Sequence, residues 1–133
     1  MGLTIEKKSL DLTIKGVTTG QIENEERQWI TIEDPDTVIT ILGSYADHQK
    51  RLIMESVVDK PHTISELLQI CKLPLVSVYR KVNSLIQEGL IVENSFAITH
   101  GGRRIKYKAV FENLRIDIDG NKIIVKGKLN KNF

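Results

Sequence analysis

Three observations predict a mixed α+β fold for this 133-residue chain. Apolar residues alternate with polar ones near both ends, at Leu10-Leu12-Ile14 and at Leu114-Ile116-Ile118, as half-buried strands require. Between the ends, residues 36–89 carry apolar stripes at helical spacing, broken by Asp, Pro and Gly. Apolar types make up 41% of the chain and charged types 27%, enough for a real core in one domain of ordinary size.

Residues 1–35 read as a β-rich N-terminal extension. The strand at Leu10–Ile14 is interrupted by Gly16 and by Thr18-Thr19-Gly20, and Glu23-Asn24-Glu25-Glu26 is a solvated turn. Trp29-Ile30-Thr31-Ile32 is a second β-prone run. Asp34-Pro35-Asp36 suits a helix entrance, because Pro fits a first helical turn and biases its predecessor away from helix. Val38, Ile39, Ile41 and Leu42 form a short stripe expected to end at Gly43. Asp47 caps a second helix with Leu52, Ile53, Met54 and Val57 on its buried side, and Pro61 stops it. Thr63-Ile64-Ser65-Glu66 has the form of a capping box, and Ile64, Leu67, Leu68 and Cys71 follow at helical spacing. Leu73-Pro74 forces a turn, a fourth helix runs over 75–88, and Gly89 supplies its left-handed cap. Residues 90–98 and 105–111 are strand-like runs joined by the loop Thr99-His100-Gly101-Gly102-Arg103-Arg104. A second hairpin at 112–133 turns at Asp119-Gly120-Asn121. No low-complexity tract or convincing repeat is present.

Catalytic chemistry finds little support. His48, His62 and His100 are far apart and form no His-x-x-x-His or His-Glu motif, and Gly101-Gly102-Arg103 is not a phosphate loop. One cysteine excludes a disulfide framework and a cysteine-clustered zinc site, and Cys71 on the apolar face of its helix reads as a small buried hydrophobe. No enzyme activity, cofactor or metal is expected. No apolar run approaches the roughly 20 residues of a membrane span, and residues 1–8 resemble neither a signal nor a transit peptide. A cytoplasmic location with no membrane partner is the expectation.

Two short helices across a tight turn, the second ending in Gly and leading into a basic hairpin, form one pattern over residues 36–111. It is carried by Thr63–Leu68, by Val78-Tyr79-Arg80-Lys81-Val82-Asn83-Ser84-Leu85, by Glu88-Gly89-Leu90-Ile91 and by Gly101-Gly102-Arg103-Arg104. In this the chain resembles the winged helix-turn-helix regulators of archaea and bacteria, particularly the ArsR-like kind. The resemblance implies a homodimeric transcriptional regulator of double-stranded DNA, with helix 75–88 in the major groove and the 99–108 wing on the backbone or in the minor groove. The residues themselves permit the same roles. Val78, Val82, Leu85 and marginally Ile86 share the core face of that helix, and Val76, Arg80, Asn83, Ser84 and Gln87 lie opposite, flanked by Ser77 and Lys81. Arg, Asn, Gln and Ser are side chains that pair with base edges or phosphates. Tyr79 sits at the border, either in the core or with its ring on the preceding helix and its hydroxyl toward a phosphate. From His100 to Lys108 the hairpin holds Arg103, Arg104, Lys106 and Lys108 and no acid, whereas charges that merely protect an edge usually mix signs. One departure from the family stands out. Leu73-Pro74-Leu75-Val76 replaces the Ser or Thr that usually opens the recognition helix, so Ser77 is its first polar residue and Leu75 or Val76 is offered to a thymine methyl.

The net charge of +2 hides an uneven distribution. Residues 1–43 hold four Lys+Arg against eight Asp+Glu (−4), residues 44–111 ten against six (+4), and residues 112–133 five against three (+2). The acidic extension is expected to face a protein partner or a second subunit, and the basic unit DNA. The dimerisation surfaces expected are the N-terminal extension with the helix at 36–43, and the 114–128 hairpin. The alternative from another class is a winged-helix module that binds protein, because only Arg80 and Lys81 are cationic on helix 75–88.

Overall fold

Asp34 and Pro35 start the first helix as their chemistry favours. The Asp34 carboxylate accepts from the Thr37 backbone N–H (3.1 Å) and hydroxyl (2.7 Å), and Pro35 fills a position that needs no N–H. A computed structural model describes residues 17–18 and 29–131. The alternation at Leu10–Ile14 and the acidic turn at 23–26 lie outside the described residues. In chain order the elements are β1 (Val17–Thr18), β2 (Trp29–Ile32), α1 (Pro35–Ala46), α2 (His48–Ser56), α3 (Ile64–Cys71), α4 (Leu75–Glu88), β3 (Ile91–Thr99), β4 (Gly102–Ala109), β5 (Phe111–Asp119) and β6 (Lys122–Leu129). The fold is mixed α+β, with β1-β2-β6-β5 in one antiparallel sheet and β3-β4 in another.

Helix α1 does not stop at Gly43 but continues to Ala46. A helical glycine costs only about 1 kcal/mol relative to alanine, and the last turn is held by buried Ser44, whose hydroxyl donates to Glu88 (2.6 Å). Asp47 ends α1 and caps α2, its carboxylate accepting from the Lys50 N–H at 3.0 Å. Helix α2 ends at Ser56, well before Pro61, because the following backbone is drawn onto β4. Ala109 donates to the Val57 carbonyl (2.9 Å), and His62 and Tyr107 exchange two backbone hydrogen bonds (3.2 and 2.9 Å), which adds a one-residue strand beside β4.

The capping box forms with both of its hydrogen bonds: Glu66 N–H donates to the Thr63 hydroxyl (3.2 Å) and Thr63 N–H to the Glu66 carboxylate (2.9 Å). Lys72, in the left-handed region at φ 54°, ends α3, and only Lys72-Leu73-Pro74 separates it from α4. Helix α4 closes on Gly89 at φ 77°, with Leu90 N–H donating to Leu85 and Gly89 N–H to Ile86, the paired bonds of a Schellman cap.

One core joins β2 through β6 and the four helices. Ile30 and Ile32 of β2, Val38 and Ile41 of α1, Ile53 and Met54 of α2, Leu67 of α3, and Val78, Val82 and Leu85 of α4 are buried together with Ile91, Phe111 and Val125. The N-terminal β2 pairs directly with the C-terminal β6 (Ile30 with Gly127, Ile32 with Val125), so the two flanking segments form one sheet. Asn130 fastens it to the β3–β4 hairpin by donating to the Ala109 carbonyl (3.1 Å), and to the segment after α2 by donating to the Val58 carbonyl (2.7 Å).

Candidate functional site

Helix α4 is amphipathic in the sense its sequence requires. Val78, Val82 and Leu85 are fully buried, Ile86 is half-buried, and Val76, Tyr79, Arg80, Asn83 and Gln87 are exposed along the opposite stripe. Ser77 and Ser84 are half-buried on its flanks. Pro74 precedes the helix and provides no side-chain cap, as the apolar turn implied. Leu75 and Val76 at its start are 52% and 66% exposed, so the first turn presents hydrocarbon.

Two residues on the flank of this helix are engaged within the chain. Lys81 Nζ lies 2.7 Å from Asp47 Oδ2, and this bond, with the Lys50 N–H, holds the Asp47 carboxyl below its usual range. Ser84 donates to Glu88 (3.3 Å), which also receives Ser44 and the Lys50 ammonium (2.9 Å). These bonds lock the C-terminal half of α4 to the α1–α2 junction. On the exposed stripe, Arg80 is the charged residue.

The β3–β4 hairpin turns through two residues, His100 and Gly101, between paired Thr99 and Gly102. Gly102 has φ 101°, a conformation that L side chains rarely adopt. Arg103 and Arg104 therefore belong to β4 and not to the loop expected at 99–104, because the two glycines allow a tighter reversal. Strand alternation sends the two arginines to opposite faces of the ribbon. Arg103 shares its face with Phe96, Ile98 and Ile105, its guanidinium 3.9 Å from the centre of the Phe96 ring. Arg104 shares the other face with half-buried Lys106 and Ala97. Lys108 corrects the count of hairpin cations. It is 2% exposed and its ammonium donates to the Asp59 carbonyl (2.7 Å), so it is an internal tie that offers no charge outward. His100 is exposed at the tip.

The two elements meet in one groove. Leu75 and Tyr79 of α4, Ile64, Ser65 and Leu68 of α3, and Arg103, Arg104, Ile105 and Tyr107 of β4 line an open concavity of about 280 Å³. Tyr79 is 49% exposed and lines this groove, which removes it from the core. Burial, reinforced by Glu93, pushes the Tyr107 hydroxyl up from its ordinary value. Sequence reading missed Phe96, Ile98, Ile105 and Tyr107 as surface-forming residues. Their alternation with polar neighbours gave the signal, but a strand's alternation does not tell which face is solvated.

Cys71 is half-buried, its sulfur 3.5 Å from the Ser56 hydroxyl. Among the described residues no group of three or more His, Cys, Asp or Glu is placed to hold a metal ion, and no helix is long and apolar enough to cross a membrane. The chain matches no protein-family model, and no curated protein matches it significantly.

Proposed function

We propose that the chain is a winged helix-turn-helix regulator, of the ArsR-like archaeal or bacterial kind, that binds double-stranded DNA sequence-specifically in the cytoplasm. Helix α4 enters the major groove, and the β3–β4 hairpin acts as the wing on the adjacent backbone or minor groove. The observation that carries this reading is the shared groove, in which Leu75 and Tyr79 at the start of α4 and Arg103 and Arg104 of β4 line one concavity beside the exposed stripe of the helix. A B-DNA major groove about 12 Å wide admits a helix presenting such a stripe. Arg80, Asn83 and Gln87 read base edges, Val76 meets a thymine methyl, and Arg103, Arg104, Lys106 and His100 contact phosphates. Ser77 and Tyr79 contact phosphates beside the first turn, while Lys81 and Ser84 act through the position they give α4. A homodimer sets two such helices on half-sites about one turn of DNA apart. No catalysis, metal or cofactor enters.

Selection of bound duplexes from a random pool tests this. Enrichment of a short two-fold-related motif is expected, and Arg80→Ala or Asn83→Ala should relax the preference at particular positions by roughly 1–3 kcal/mol. Retention of no duplex at low salt overturns it.

A second reading rests on a specific observation. Leu75, Val76, Tyr79, Phe96 and Ile98 expose apolar surface on α4 and the hairpin, Ile98 to 77%. A winged-helix module that binds protein in a regulatory assembly, with the acidic N-terminal extension as an added contact, uses such a surface. A protein partner that is displaced by Val76→Asp, with no duplex bound, selects this reading.

A further inference from the structure

The four-stranded sheet ends in an edge that is long, apolar on one face and self-complementary. Strand β5 pairs with β6 alone, and its nine residues leave one row of backbone N–H and C=O groups unpaired by any other described strand. Such an edge is a template for another strand. Natural edges are usually blunted by proline, a lysine or a mid-strand bulge. The stretch Asn113–Asp119 has no proline, no lysine and no break in register, and its charges, Arg115, Asp117 and Asp119, alternate with its apolar residues and so share the opposite face. By that register Leu114, Ile116 and Ile118 share the face of Gly127, Val125 and Ile123, the face that buries Ile32 further along the sheet. Yet Ile116 is 50% and Ile118 69% exposed.

We infer that β5 is the dimer interface, pairing antiparallel with β5 of a second copy about a two-fold axis at Ile116. This deepens the homodimer of the proposed function and does not depend on DNA binding. The occupant follows from parity and charge. A two-fold axis perpendicular to the sheet keeps each residue on its own face, and directly opposed residues share a face, so the axis must pass through a residue. An axis at Arg115 sets Arg115 against itself, and one at Asp117 sets Asp117 against itself. At Ile118, Asp117 opposes Asp119. At Leu114, Ile116 opposes Glu112. With the axis at Ile116, Arg115, which within one chain stands over the Trp29 ring at 4.6 Å and must turn from it, faces Asp117 twice, Leu114 faces Ile118 twice, and Ile116 faces itself. Every like-charge clash is absent and every exposed isoleucine of the strand gains an apolar neighbour. Leu114 also lines a groove with Tyr45, Met54, Glu55 and Val58, and the second copy's Ile118 comes to its rim. Two four-stranded sheets thereby become one of eight strands.

The experiment uses the full chain and no DNA, so its outcome is separate from that of the DNA-binding reading. Sedimentation equilibrium of the parent should give a dimer. Asp117→Arg sets a second arginine against Arg115 at both symmetry-related contacts and should weaken dimerisation about tenfold or more with unchanged circular dichroism. Adding Arg115→Asp should restore the dimer with its charges exchanged. In a Cys71→Ser background, Ile116→Cys should oxidise to an intermolecular disulfide, since directly opposed Cα atoms lie about 4.5–5.5 Å apart. Ile118→Cys should not, because its two copies stand four residues out of register, roughly 14 Å apart. A monomeric parent, a dimer indifferent to Asp117→Arg, or equal cross-linking at 116 and 118 overturns the inference.

Discussion

Asp47 works in three directions at once, ending α1 with its backbone, capping α2 with one carboxylate oxygen and binding Lys81 of α4 with the other. Glu66 does similar work in the capping box of α3, where its bond to the Thr63 backbone is the main cause of a lowered pKa. Ordinary values for these groups are 3.8 and 4.5, and both fall in the folded chain. The unfolded chain therefore binds protons first on acidification. The stability from these carboxylates is complete above their ordinary values and is lost as the pH falls through the lowered ones. Thermal melts across an acid series should show the midpoint dropping below about pH 4.5, and Asp47→Asn combined with Glu66→Gln should lower the neutral-pH midpoint and flatten that drop. A double variant with the parent's acid profile would show that the carboxylates stabilise nothing. Thr63→Ala should cost about 0.5–2 kcal/mol by the same measurement, as for other lost caps.

Among the elements, two glycines give opposite expectations. An added Cβ at Gly127 of β6 would stand 2.5 Å from the ring of buried Phe111 on β5, so Gly127→Ala must move a core aromatic and should destabilise by roughly 1–3 kcal/mol. Gly43, inside α1, has open space around its missing Cβ, and Gly43→Ala should stabilise by up to about 1 kcal/mol. Denaturant titration of the pair checks both signs. Elements built on local chemistry were legible in the sequence: Asp34-Pro35, the Thr63–Glu66 box, Gly89 and the alternating strand at Leu114–Ile118 each follow from interactions within a few residues. What escaped depends on distant partners. Gly43 reads as a stop until Glu88 is seen to hold Ser44, and Lys108 reads as a surface cation until the Asp59 carbonyl is brought beneath it. Lys81 likewise reads as a solvated flank residue in a helical projection, yet it meets Asp47 because α2 passes beside α4. The exposed stripe Arg80-Asn83-Gln87 was legible because helical period alone defines it.

At the scale of the molecule, residues 1–43 carry an acidic excess and residues 44–111 a basic one, and the described β2 and α1 share one core with α2, α3 and α4. Part of the basic excess is spent inside: Lys50 and Lys81 pair with Glu88 and Asp47, and the buried Lys108 ammonium donates to the Asp59 backbone carbonyl. The outward charge of the candidate surface therefore rests on Arg80, Arg103 and Arg104, with Lys106 at its margin. Those few cations make the DNA-binding reading quantitative, since each phosphate neutralised contributes about −0.9 to the slope of log affinity against log salt. The most direct measurement is polarisation titration of a labelled duplex over a series of salt concentrations, with the parent chain and with Arg103→Ala/Arg104→Ala. Binding should weaken steeply with salt, and the double variant should bind every duplex less tightly with a slope shallower by about 2 for each subunit engaged. Salt-independent binding, an unchanged slope in the variant, or no binding to any duplex at low salt would contradict it.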